Sequence, residues 1–550
     1  QESSSLAWAL AKMSVESTGY FTRVAETVSS QLSNFALQEL SNLAWAFATR
    51  GVGASGLFRA VALEASTKRE GLVPQGASNL AWAFAKSSFE DAELLRILYE
   101  EALEHMGEFD PEGLSNVVWA YAKLSLAERE LFDAASNESA VRMKDFQPQA
   151  LQNLAWASAT ADVRGPGLLR AVSSELIARL RGLGPGEAAA MVAAGGAEAA
   201  AETAGSALAV VWAANFAGLL SYDLAETVRS AVSQLGRALD AAKAEGRVVM
   251  LAPAGDHMFE PGLSANAGVS HGNSSDPRVV LNLQDRLVIH KPPGWEVERS
   301  SGGVGCVPRE MAGGPRQLPN FLRVVLPPVR WPIVEDAEHH FGLLHRLDVP
   351  SSGLVVAAKT YEAYYDLQMQ LNAGQFVRDY IVLCHGWIPP DLDEINAPVH
   401  QDTVSKQSLP STVHERGRPA RTRLKVLAHA WHRKQPLSLV AVRIQSGRRH
   451  QIRVHTAHVG HPTVSDSRYA TEFFASDSSW CPRNFLHRYR LGFADAGGAV
   501  REVLAPLPED LHTALEQLSA SDGSSAELLE EWRDHSAPRS WEAFERLPVP

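Results

Sequence analysis

The sequence predicts two unlike domains, an N-terminal all-α helical-repeat solenoid and a C-terminal α+β domain. A chain of 550 residues is too long for one ordinary domain. In its first part a tryptophan recurs at a constant step of 37 residues, which is typical of a repeat architecture. Beyond residue 280 the repeat is lost, and short β-branched runs alternate with helical patterns, which favours a domain built on a sheet.

Each repeat is predicted to be a pair of helices. The tryptophans stand in the segments SLAWALAK, NLAWAFAT, NLAWAFAK, NVVWAYAK and NLAWASAT, at Trp8, Trp45, Trp82, Trp119 and Trp156. Leu43 and Phe47 are four residues apart and therefore share one helix face. A second helix follows in each unit, for example over residues 94–105 or 168–180. Such pairs bury their apolar faces by stacking on their neighbours, which gives a solenoid.

The repeated tryptophans and their flanking alanines are expected to fill the core between helix layers and not to contact a ligand. A sixth, degenerate copy surrounds Trp212. The Ala/Gly-rich segment 186–205 precedes it, and the repeat pattern is lost there.

Changes in composition place the predicted domain boundaries. The solenoid is assigned to residues 1–245, a Pro/Gly/Ser-rich linker to 246–280, the α+β domain to 281–506 and a C-terminal tail to 507–550. Strands are predicted around residues 287–289, 354–357, 380–383, 424–428 and 437–444, and helices over 361–371 and 509–518.

Charge is distributed unevenly along the chain. The formal net charge of −12, taken alone, argues against a protein that coats nucleic acid. Residues 406–490, however, contain sixteen Lys/Arg and four Asp/Glu, a net charge of +12. Such a block is typical of a surface that binds a polyanion, and the alternative is the solvated face of a basic subdomain.

Cysteine use and hydropathy narrow the class of protein. Cys306, Cys384 and Cys481 form no CxxC pair, so neither a disulfide framework nor a cysteine zinc site is expected, and an intracellular compartment is favoured. No apolar run reaches about 18 residues, so no membrane-spanning segment and no membrane partner are expected. The chain starts in mid-pattern at Gln1, which suggests a fragment or a processed form.

The segment LHRLDVPSSGLVVAAK, residues 344–359, carries the most chemical information. Arg346 and Asp348 stand before a Ser-Ser-Gly turn that leads into an apolar run. A carboxylate at that position suits a nucleophile or a general base. By chemistry alone, Asp348 could equally be a turn or capping residue.

Four segments, taken in order, resemble the ribosomal large-subunit type (RluA-like) pseudouridine synthases. HRLD followed by SSG is similar to that family's HRLDxxTSG signature; the other three are DRLVIHKPPGWEV, RDYIVLCHG and SGRRHQIRVHTAHVGHPTVSDSRY. The resemblance covers residues 280–510 and implies a central, mainly antiparallel sheet. The departures from the family pattern are mild: Ser351 replaces Thr, Arg378 replaces Lys, Arg449 replaces Thr, Ser465 replaces Gly, and residues 300–340 form an insertion.

This resemblance implies an RNA isomerase whose essential aspartate is Asp348. The carboxylate would attack the target uridine or abstract a sugar proton, and the detached base would rejoin the ribose through C5. Tyr380 would stack on the base and take the C5 proton, since a phenol has a flat face and a titratable hydroxyl. Arg453 would pair with the aspartate and keep it ionised. No redox step occurs, so no cofactor is implied.

The same resemblance implies a surface around the aspartate that contacts RNA. Its expected members are Arg346, Arg448, Arg449, His450, Gln451 and Lys291. Arg346 could instead pair within its own loop, and His345 is expected to order that loop. The spacing of His450, His455, His458 and His461 occurs at zinc sites, but no HExxH glutamate accompanies them, so no metal is expected.

The repeats over residues 1–220 resemble the heptatricopeptide and octotricopeptide repeats of organellar RNA-binding proteins. This implies an arm that recognises RNA, although a solenoid that binds protein or acts as a scaffold fits the pattern too. The expected partners are RNA, with ribosomal RNA first and transfer or messenger RNA as alternatives, and ribosome-assembly or organellar RNA-processing proteins. A plastid or mitochondrial location is expected, with the cytoplasm and nucleus as alternatives.

These observations predict an RNA pseudouridine synthase with a helical-repeat targeting arm. The first alternative is a catalytically inactive protein that binds and stabilises RNA, and a second is a structural adaptor for ribosome assembly. The intact trio of Asp348, Tyr380 and Arg453 favours the enzyme over both.

Overall fold

The N-terminal part of the chain consists of paired helices. A computed structural model of the chain describes residues 2–13, 18–29, 31–126, 128–161, 167–248, 275–297, 316–401, 410–415, 417–534 and 540–547. The helices of the first part are α1 Glu2–Lys12, α2 Thr18–Val28, α3 Leu37–Arg50, α4 Ser55–Thr67, α5 Pro74–Lys86, α6 Ala92–Glu104, α7 Pro111–Lys123, α8 Arg129–Arg142, α9 Pro148–Thr160, α10 Gly167–Leu180, α11 Pro185–Phe216 and α12 Tyr222–Val248. The prediction that the N-terminal part is all-α is therefore confirmed.

The start of each repeat is encoded by residues that favour a helix N-terminus. Pro74, Pro111 and Pro148, one repeat apart, occupy the first turns of α5, α7 and α9, where a missing N–H costs nothing. The Asp110 carboxylate accepts a hydrogen bond of 2.6 Å from the Gly113 N–H and so caps α7. Among the described residues, no helix is both long and apolar enough to cross a bilayer.

The repeated alanines and tryptophans have different environments. The expectation that both lie in the core is correct for most of the flanking alanines and wrong for the tryptophans. Ala44, Ala46 and Ala48 are buried, which lets neighbouring helices approach closely. The five tryptophans are all partly exposed, and Trp8 reaches 38%. An indole is too large to fit between helices that close alanine contacts hold together, so the indoles lie at the rim of the helix layer.

Helix continues through the Ala/Gly-rich segment where the repeat pattern is lost. α11 is interrupted only at Gly196, whose φ of 67° and ψ of −166° are not helical. Alanine favours helix without needing the repeat's packing residues, and glycine accommodates the break. The degenerate copy at Trp212 lies in the second half of α11, where Trp212 stacks on Phe216 at 5.3 Å.

The C-terminal part of the chain is built on a sheet. Its elements are β1 Arg278–Asn282, β2 Arg286–Lys291, β3 Trp295–Glu296, β4 Arg316–Gln317, α13 Leu318–Val325, β5 Ser352–Ala358, α14 Tyr361–Asn372, β6 Val377–His385, β7 Glu394–Asn396, β8 Val399–His400, β9 Thr412–Val413, β10 Arg421–His432, β11 Gln435–Ile444, α15 Gln451–His458, α16 Thr471–Asp477, β12 Leu486–Ala494, β13 Val500–Leu504, α17 Glu509–Glu516, β14 Ser519–Ala520 and α18 Gly523–Arg533.

The main sheet is mixed and mostly antiparallel, as expected. Its strand order is β1-β2-β5-β12-β6-β11-β10-β14, with β13 paired to β12 and β7 paired to β10. Within this sheet the described pairings are antiparallel except for β5 with β12, which is parallel. β5, β12 and β6 are neighbours at its centre, so the turn before β5 and the residues of β6 are brought close together.

The segment 507–550, expected to form a tail, contributes several described side chains to the core of this domain. Leu511 and Leu515 of α17, Trp532 of α18, and Phe544 pack with the inner faces of β10 and β11 in one apolar cluster. The apolar spacing within α17 and α18 provides a face that only burial satisfies.

Contacts divide the chain into two compact units. One contains Gln1–Gly182, Ala201–Val228 and Pro398–Pro419, and the other contains Leu183–Ala200, Arg229–Ala397 and Ala420–Pro550. The predicted boundaries after residues 245, 280 and 506 stay predictions. Most of the predicted linker, residues 249–274, lies outside the described residues, as do residues 298–315 around the start of the predicted insertion.

Candidate active site

Asp348 lies in the loop that enters β5 at the centre of the sheet. Its backbone carbonyl accepts a hydrogen bond of 3.0 Å from the Ser351 N–H, which closes the turn. The next carbonyl, that of Val349, accepts a 2.8 Å bond from the N–H of Gly294. These two bonds fix the backbone on which the carboxylate is carried.

Lys291, at the end of β2, is hydrogen-bonded to the backbone of the same loop. Its ammonium group is fully buried and donates to the carbonyls of Pro292 and Trp295, at 3.1 and 3.0 Å, and to that of Val349 at 3.5 Å. Burial lowers the pKa of Lys291 to about 7, although the negative charge of Asp348 opposes this shift. The structure therefore places Lys291 under the aspartate loop, as one of its supports.

Arg453, on α15, joins Asp348 to a second carboxylate. Its Nη1 donates to Asp348 Oδ2 at 2.9 Å. Its Nε and Nη2 donate to the two oxygens of Asp466, both at 2.7 Å, in a bidentate pair. The Asp466 side chain is fully buried, whereas that of Asp348 remains 14% exposed. Asp466 therefore fixes the guanidinium, and the guanidinium orients the exposed carboxylate.

The charges of this triad determine its protonation. Burial raises the pKa of Asp348, but the charge and hydrogen bond of Arg453 outweigh burial and hold that pKa below its ordinary value. The same balance, with Arg453 again opposing burial, lowers the pKa of Asp466. Asp348 is consequently an ionised carboxylate at neutral pH, with one oxygen held by Arg453.

Tyr380, on β6, is bound to the aspartate loop through Arg488 of β12. Arg488 is buried and donates through Nη2 to the Tyr380 hydroxyl and, at 3.2 Å, to the carbonyl of Arg346. Its Nη1 donates to His345 Nδ1 at 2.7 Å and to the Leu354 carbonyl at 2.9 Å. His345 therefore helps to order the loop, and Arg488 ties three chain segments together.

A bulge in β12 places Arg488 on the face that carries Tyr380. The register with β6 shifts between Arg488, which pairs with Tyr380, and Arg490, which pairs with Asp379. Adjacent residues of β6 point to opposite faces of the sheet. The two arginines therefore also point to opposite faces, and Arg490 binds the Asp379 carboxylate at 2.9 Å.

The positive charges of Arg346 and Arg449 lie close enough to Asp348 to interact with its carboxylate. Burial, followed by the positive charges of Arg346 and Arg468, lowers the pKa of Arg449, while the negative charge of Asp348 opposes that shift. Arg346 and Arg449 are half-buried and Arg468 is exposed. A group of like charges around one carboxylate provides a surface for the phosphates of a nucleic acid.

The predicted RNA-contacting residues between positions 448 and 451 also hold this region in shape. His450 starts α15 with a φ of 55° and bonds the Tyr469 hydroxyl through Nδ1 at 3.0 Å. Gln451 is buried, accepts from the Arg448 N–H at 3.0 Å and donates to Thr422 Oγ1 at 3.0 Å. These bonds position the segment on β10, and whether its side chains touch RNA stays a prediction.

The ring nitrogens of the nearby histidines bond protein groups. His455 bonds Thr422 Oγ1 and the Ala397 carbonyl, both at 2.9 Å. His461 bonds the carbonyl of His385 at 2.9 Å. Over the described part of the chain, no three His, Cys, Asp or Glu side chains lie together as metal ligands.

The basic block of residues 406–490 is only partly a surface, which corrects its interpretation as a single electrostatic footprint. Among its described cations, at least six bond carboxylates, carbonyls or buried side chains within the domain: Lys425, Arg443, Arg453, Arg483, Arg488 and Arg490. Lys406 and Arg416 lie outside the described residues. A count of charge along the chain cannot separate cations buried in ion pairs from cations that face solvent.

Sequence reasoning did not select Asp466 or Arg488, which complete the site. Asp466 lies in a segment that the sequence analysis matched to the family, and its position beside a turn was the available signal. Arg488 lies in the segment FLHRYRLGF, which resembles the strand that usually follows in the family, but its role depends on the bulge in β12 and could not be read from that match.

Two family models match the chain, one in each part. Residues 285–458 match the family described as RNA pseudouridylate synthase, a range that contains Asp348, Tyr380 and Arg453. Residues 1–191 match the family described as RNA-editing substrate-binding complex 6 protein, a range that covers the first ten helices.

Individual relatives resemble the C-terminal part. An uncharacterized RNA pseudouridine synthase of Bacillus subtilis is 32% identical over 237 residues, 43% of this chain and 70% of the relative. The ribosomal large subunit pseudouridine synthase C of Escherichia coli is 31% identical over 247 residues, 44% of this chain and 70% of the relative. The solved structure of human RNA pseudouridylate synthase domain containing 1 covers 51% of this chain and is matched over its whole length, at 22% identity and a TM-score of 0.35.

Proposed function

The chain belongs to the RNA pseudouridine synthase family and is an isomerase, and we propose that it converts specific uridines of ribosomal RNA to pseudouridine. The observation that carries this proposal is the Asp348 carboxylate, held ionised by Arg453 and still open to solvent on one side. Ribosomal RNA is proposed because a relative that is 31% identical is named for the large ribosomal subunit.

We assign the first chemical step to Asp348. Its carboxylate either bonds the target ribose or removes a sugar proton, and the N1–C1′ bond of the uridine then breaks. The base rotates, and C5 bonds C1′ as the bond from Asp348 to the ribose breaks or, on the other route, as Asp348 returns the proton to the sugar. The C5 proton then leaves and N1 gains a proton. Electrons balance within the nucleotide, so the step needs a carboxylate of fixed position and no external oxidant. The two bonds between Arg453 and Asp466 support this assignment, because they hold the guanidinium that orients the carboxylate.

Tyr380 is proposed to stack on the detached base and to receive the C5 proton. In support, its hydroxyl accepts from Arg488, whose guanidinium lies 4.9 Å from the centre of the tyrosine ring. Arg488 also contacts the carbonyl of Arg346, next to the aspartate loop. We propose Arg488 as a positioning residue that fixes the Tyr380 phenol relative to the Asp348 carboxylate.

The target base must leave its stack to reach Asp348, at a cost of about a few kcal/mol. Contacts between RNA phosphates and Arg346, Arg449 and Arg468 are proposed to offset that cost. RNA is recognised mostly through shape and unpaired loops, so a separate arm that provides affinity is useful. The helical repeats are proposed to provide it, by contact with RNA or with a ribosome-assembly or organellar RNA-processing protein.

The proposed activity is tested by release of tritium from RNA labelled at C5 of uridine, because isomerisation sends the C5 hydrogen to water. We expect the protein to release tritium from a cellular RNA pool and Asp348→Ala to release none above the blank. Mapping of pseudouridine across the transcriptome, with and without the protein, then identifies the RNA. Sites confined to transfer or messenger RNA would overturn the ribosomal target and leave the isomerase in place.

The same assay distinguishes the enzyme from the alternative of an inactive RNA-stabilising protein. If no cellular RNA pool yields tritium while the protein still binds RNA, the inactive protein is the correct description. Release that is equal in the native protein and in Asp348→Ala would show that another residue carries the chemistry.

We further propose a plastid or mitochondrial location, because the repeats resemble those of organellar RNA-binding proteins. Imaging of the tagged full-length gene product tests this. Signal confined to cytoplasm or nucleus would contradict it.

A further inference from the structure

The five repeated tryptophans form one continuous row across α1, α3, α5, α7 and α9. Successive ring centres, from Trp8 through Trp45, Trp82 and Trp119 to Trp156, are 6.3, 6.1, 6.4 and 6.1 Å apart. The rings are tilted by 30–43° from one another. Each ring is partly exposed, so the row is an aromatic band on the surface of the repeat unit.

A row of cations follows one side of this band. Lys12, Lys86 and Lys123 each come four residues after a repeated tryptophan, and a spacing of four places them on the same helix face. Their ammonium groups lie 4.7, 5.8 and 5.8 Å from the ring centres of their own repeats. Threonine occupies this position in the other two repeats, at Thr49 and Thr160.

A row of amides follows the other side. Asn42, Asn79, Asn116 and Asn153 each precede a repeated tryptophan by three residues and are partly exposed. Asn153 Nδ2 donates to Asn116 Oδ1 at 3.4 Å across neighbouring repeats. Each helix therefore presents an amide, an indole and, in three repeats, a lysine in order along its axis.

Positive charge is concentrated at one point of the lysine row. Burial, followed by the charges of Arg418 and Lys86, lowers the pKa of Lys123 to about 8. Arg418 belongs to the same unit, and the Ser125 hydroxyl, just after α7, donates to the carbonyl of Glu415 at 2.9 Å. A cation from a separate chain segment therefore lies close enough to Lys123 to repel it, and a bound anion would relieve that repulsion.

We propose that this face of the repeats binds single-stranded RNA, with phosphates along the lysine row, bases on the indole row and base edges toward the asparagine amides. The inference deepens the proposed function, because it identifies how the arm would recognise the RNA substrate. Stacking on aromatic rings beside cations is how single strands are held without a duplex. Amide side chains pair with adenine edges, and helical repeats can read one base each.

The chemistry of the three rows favours a single strand over the other polyanions. A duplex exposes its phosphates but hides the faces of its bases from an aromatic row. An acidic polypeptide would satisfy the lysines, but it offers no planar group at each repeat for the indoles and amides. Because the indoles contact one another at 6.1–6.4 Å, the strand is expected to lie across the band and not to insert between rings.

The test is binding of a short fluorescein-labelled unstructured RNA to the full chain carrying Asp348→Ala, measured by anisotropy over a series of salt concentrations. We expect the double variant Lys86→Gln/Lys123→Gln to reduce the slope of log K against log salt by about 1.4, since each single-strand phosphate contributes about 0.7. The matched control is Arg59→Gln/Arg170→Gln, which removes the same charge from exposed positions on α4 and α10 and should leave binding unchanged.

The aromatic row is tested separately with Trp82→Leu, which keeps an apolar side chain and removes the ring. Affinity is expected to fall about tenfold while the salt slope stays the same. A circular dichroism melt reports whether this variant folds, and the lysine pair keeps the proposal testable if it does not.

Several results would overturn the proposal. Equal losses in the lysine pair and in the arginine control would show that only total charge matters. Duplex RNA bound as tightly as the single strand, with the same dependence on Trp82, would exclude stacking on bases. If polyglutamate competes better than RNA through the same residues, the occupant is an acidic protein. Tritium release by the native protein, without RNA binding that depends on the tryptophan and lysine rows, would refute this proposal alone and leave the isomerase assignment standing.

Discussion

Replacing Arg453 with methionine is expected to destabilise the synthase domain by about 3–5 kcal/mol and to remove its activity. The guanidinium is the partner of two carboxylates, and Asp466 is fully buried. Loss of one partner of a buried ion pair leaves an uncompensated charge, which costs far more than the pair contributes. Urea unfolding monitored by tryptophan fluorescence measures the loss.

The Arg453→Met variant is also expected to reverse the direction in which stability changes with pH. In the native protein the pKa values of Asp348 and Asp466 lie below their unfolded values, so these carboxylates stabilise the fold above about pH 4, and that stability is lost as pH falls. Without Arg453, the largest effect that opposes burial is lost, so both pKa values are expected to rise. The variant should therefore be more stable at pH 5 than at pH 8, whereas the native protein should not.

A double variant separates structure from chemistry. Arg453→Met/Asp466→Asn removes the buried charge together with its partner, and most of the lost stability should return. Its tritium release should still be far below that of the native protein, with the acid limb of the pH profile moved to higher pH, because Asp348 has lost its cation. A double variant that is as active as the native protein would show that Arg453 serves the fold alone.

The elements that sequence reasoning identified correctly are those whose residues carry their own periodicity. The run around residues 354–357 became β5 Ser352–Ala358, and the helical pattern over 361–371 became α14 Tyr361–Asn372. Asp348 was identified by its motif and Arg453 by its match to the family, and the structure brings the two side chains within hydrogen-bond distance. The roles of Asp348, Tyr380 and Arg453 in catalysis stay predictions until a variant is assayed.

Features that depend on contacts between several chain segments could not be predicted from the sequence. Residues two apart in a regular strand share one face, and the bulge between Arg488 and Arg490 is what puts these two arginines on opposite faces. The tryptophans looked like core residues because their step was constant, yet that constancy also aligns them along a surface. A repeated apolar position fixes which residues become neighbours, but not whether solvent reaches them.

Replacing Gly353 with alanine is expected to destabilise the synthase domain by more than about 3 kcal/mol. The loss is expected because the added Cβ would disrupt the parallel pairing of β5 with β12. Gly353 pairs with Arg488 and has a φ of +127°, a conformation that side chains avoid. A Cβ there would lie 2.6 Å from the Arg488 nitrogen and 2.8 Å from its carbonyl carbon. Because both obstacles are backbone atoms, no rotamer change can relieve the clash, and β5 must move away from β12.

The matched control is Gly294→Ala, at a glycine with a φ of +83° and no atom within 4 Å of an added Cβ. It shares the backbone strain but not the close approach, so it should cost only about 1–2 kcal/mol. The difference in unfolding free energy between the two variants therefore measures the contact between strands. Displacement of β5 would also move the carbonyl of Leu354 from Arg488, so the activity of Gly353→Ala should fall even under conditions where the protein is still folded. If the two variants are equally stable, β5 and β12 can move apart without a cost in free energy. In that case Arg488, which bridges the two strands, would not be the residue that links Tyr380 to the aspartate loop.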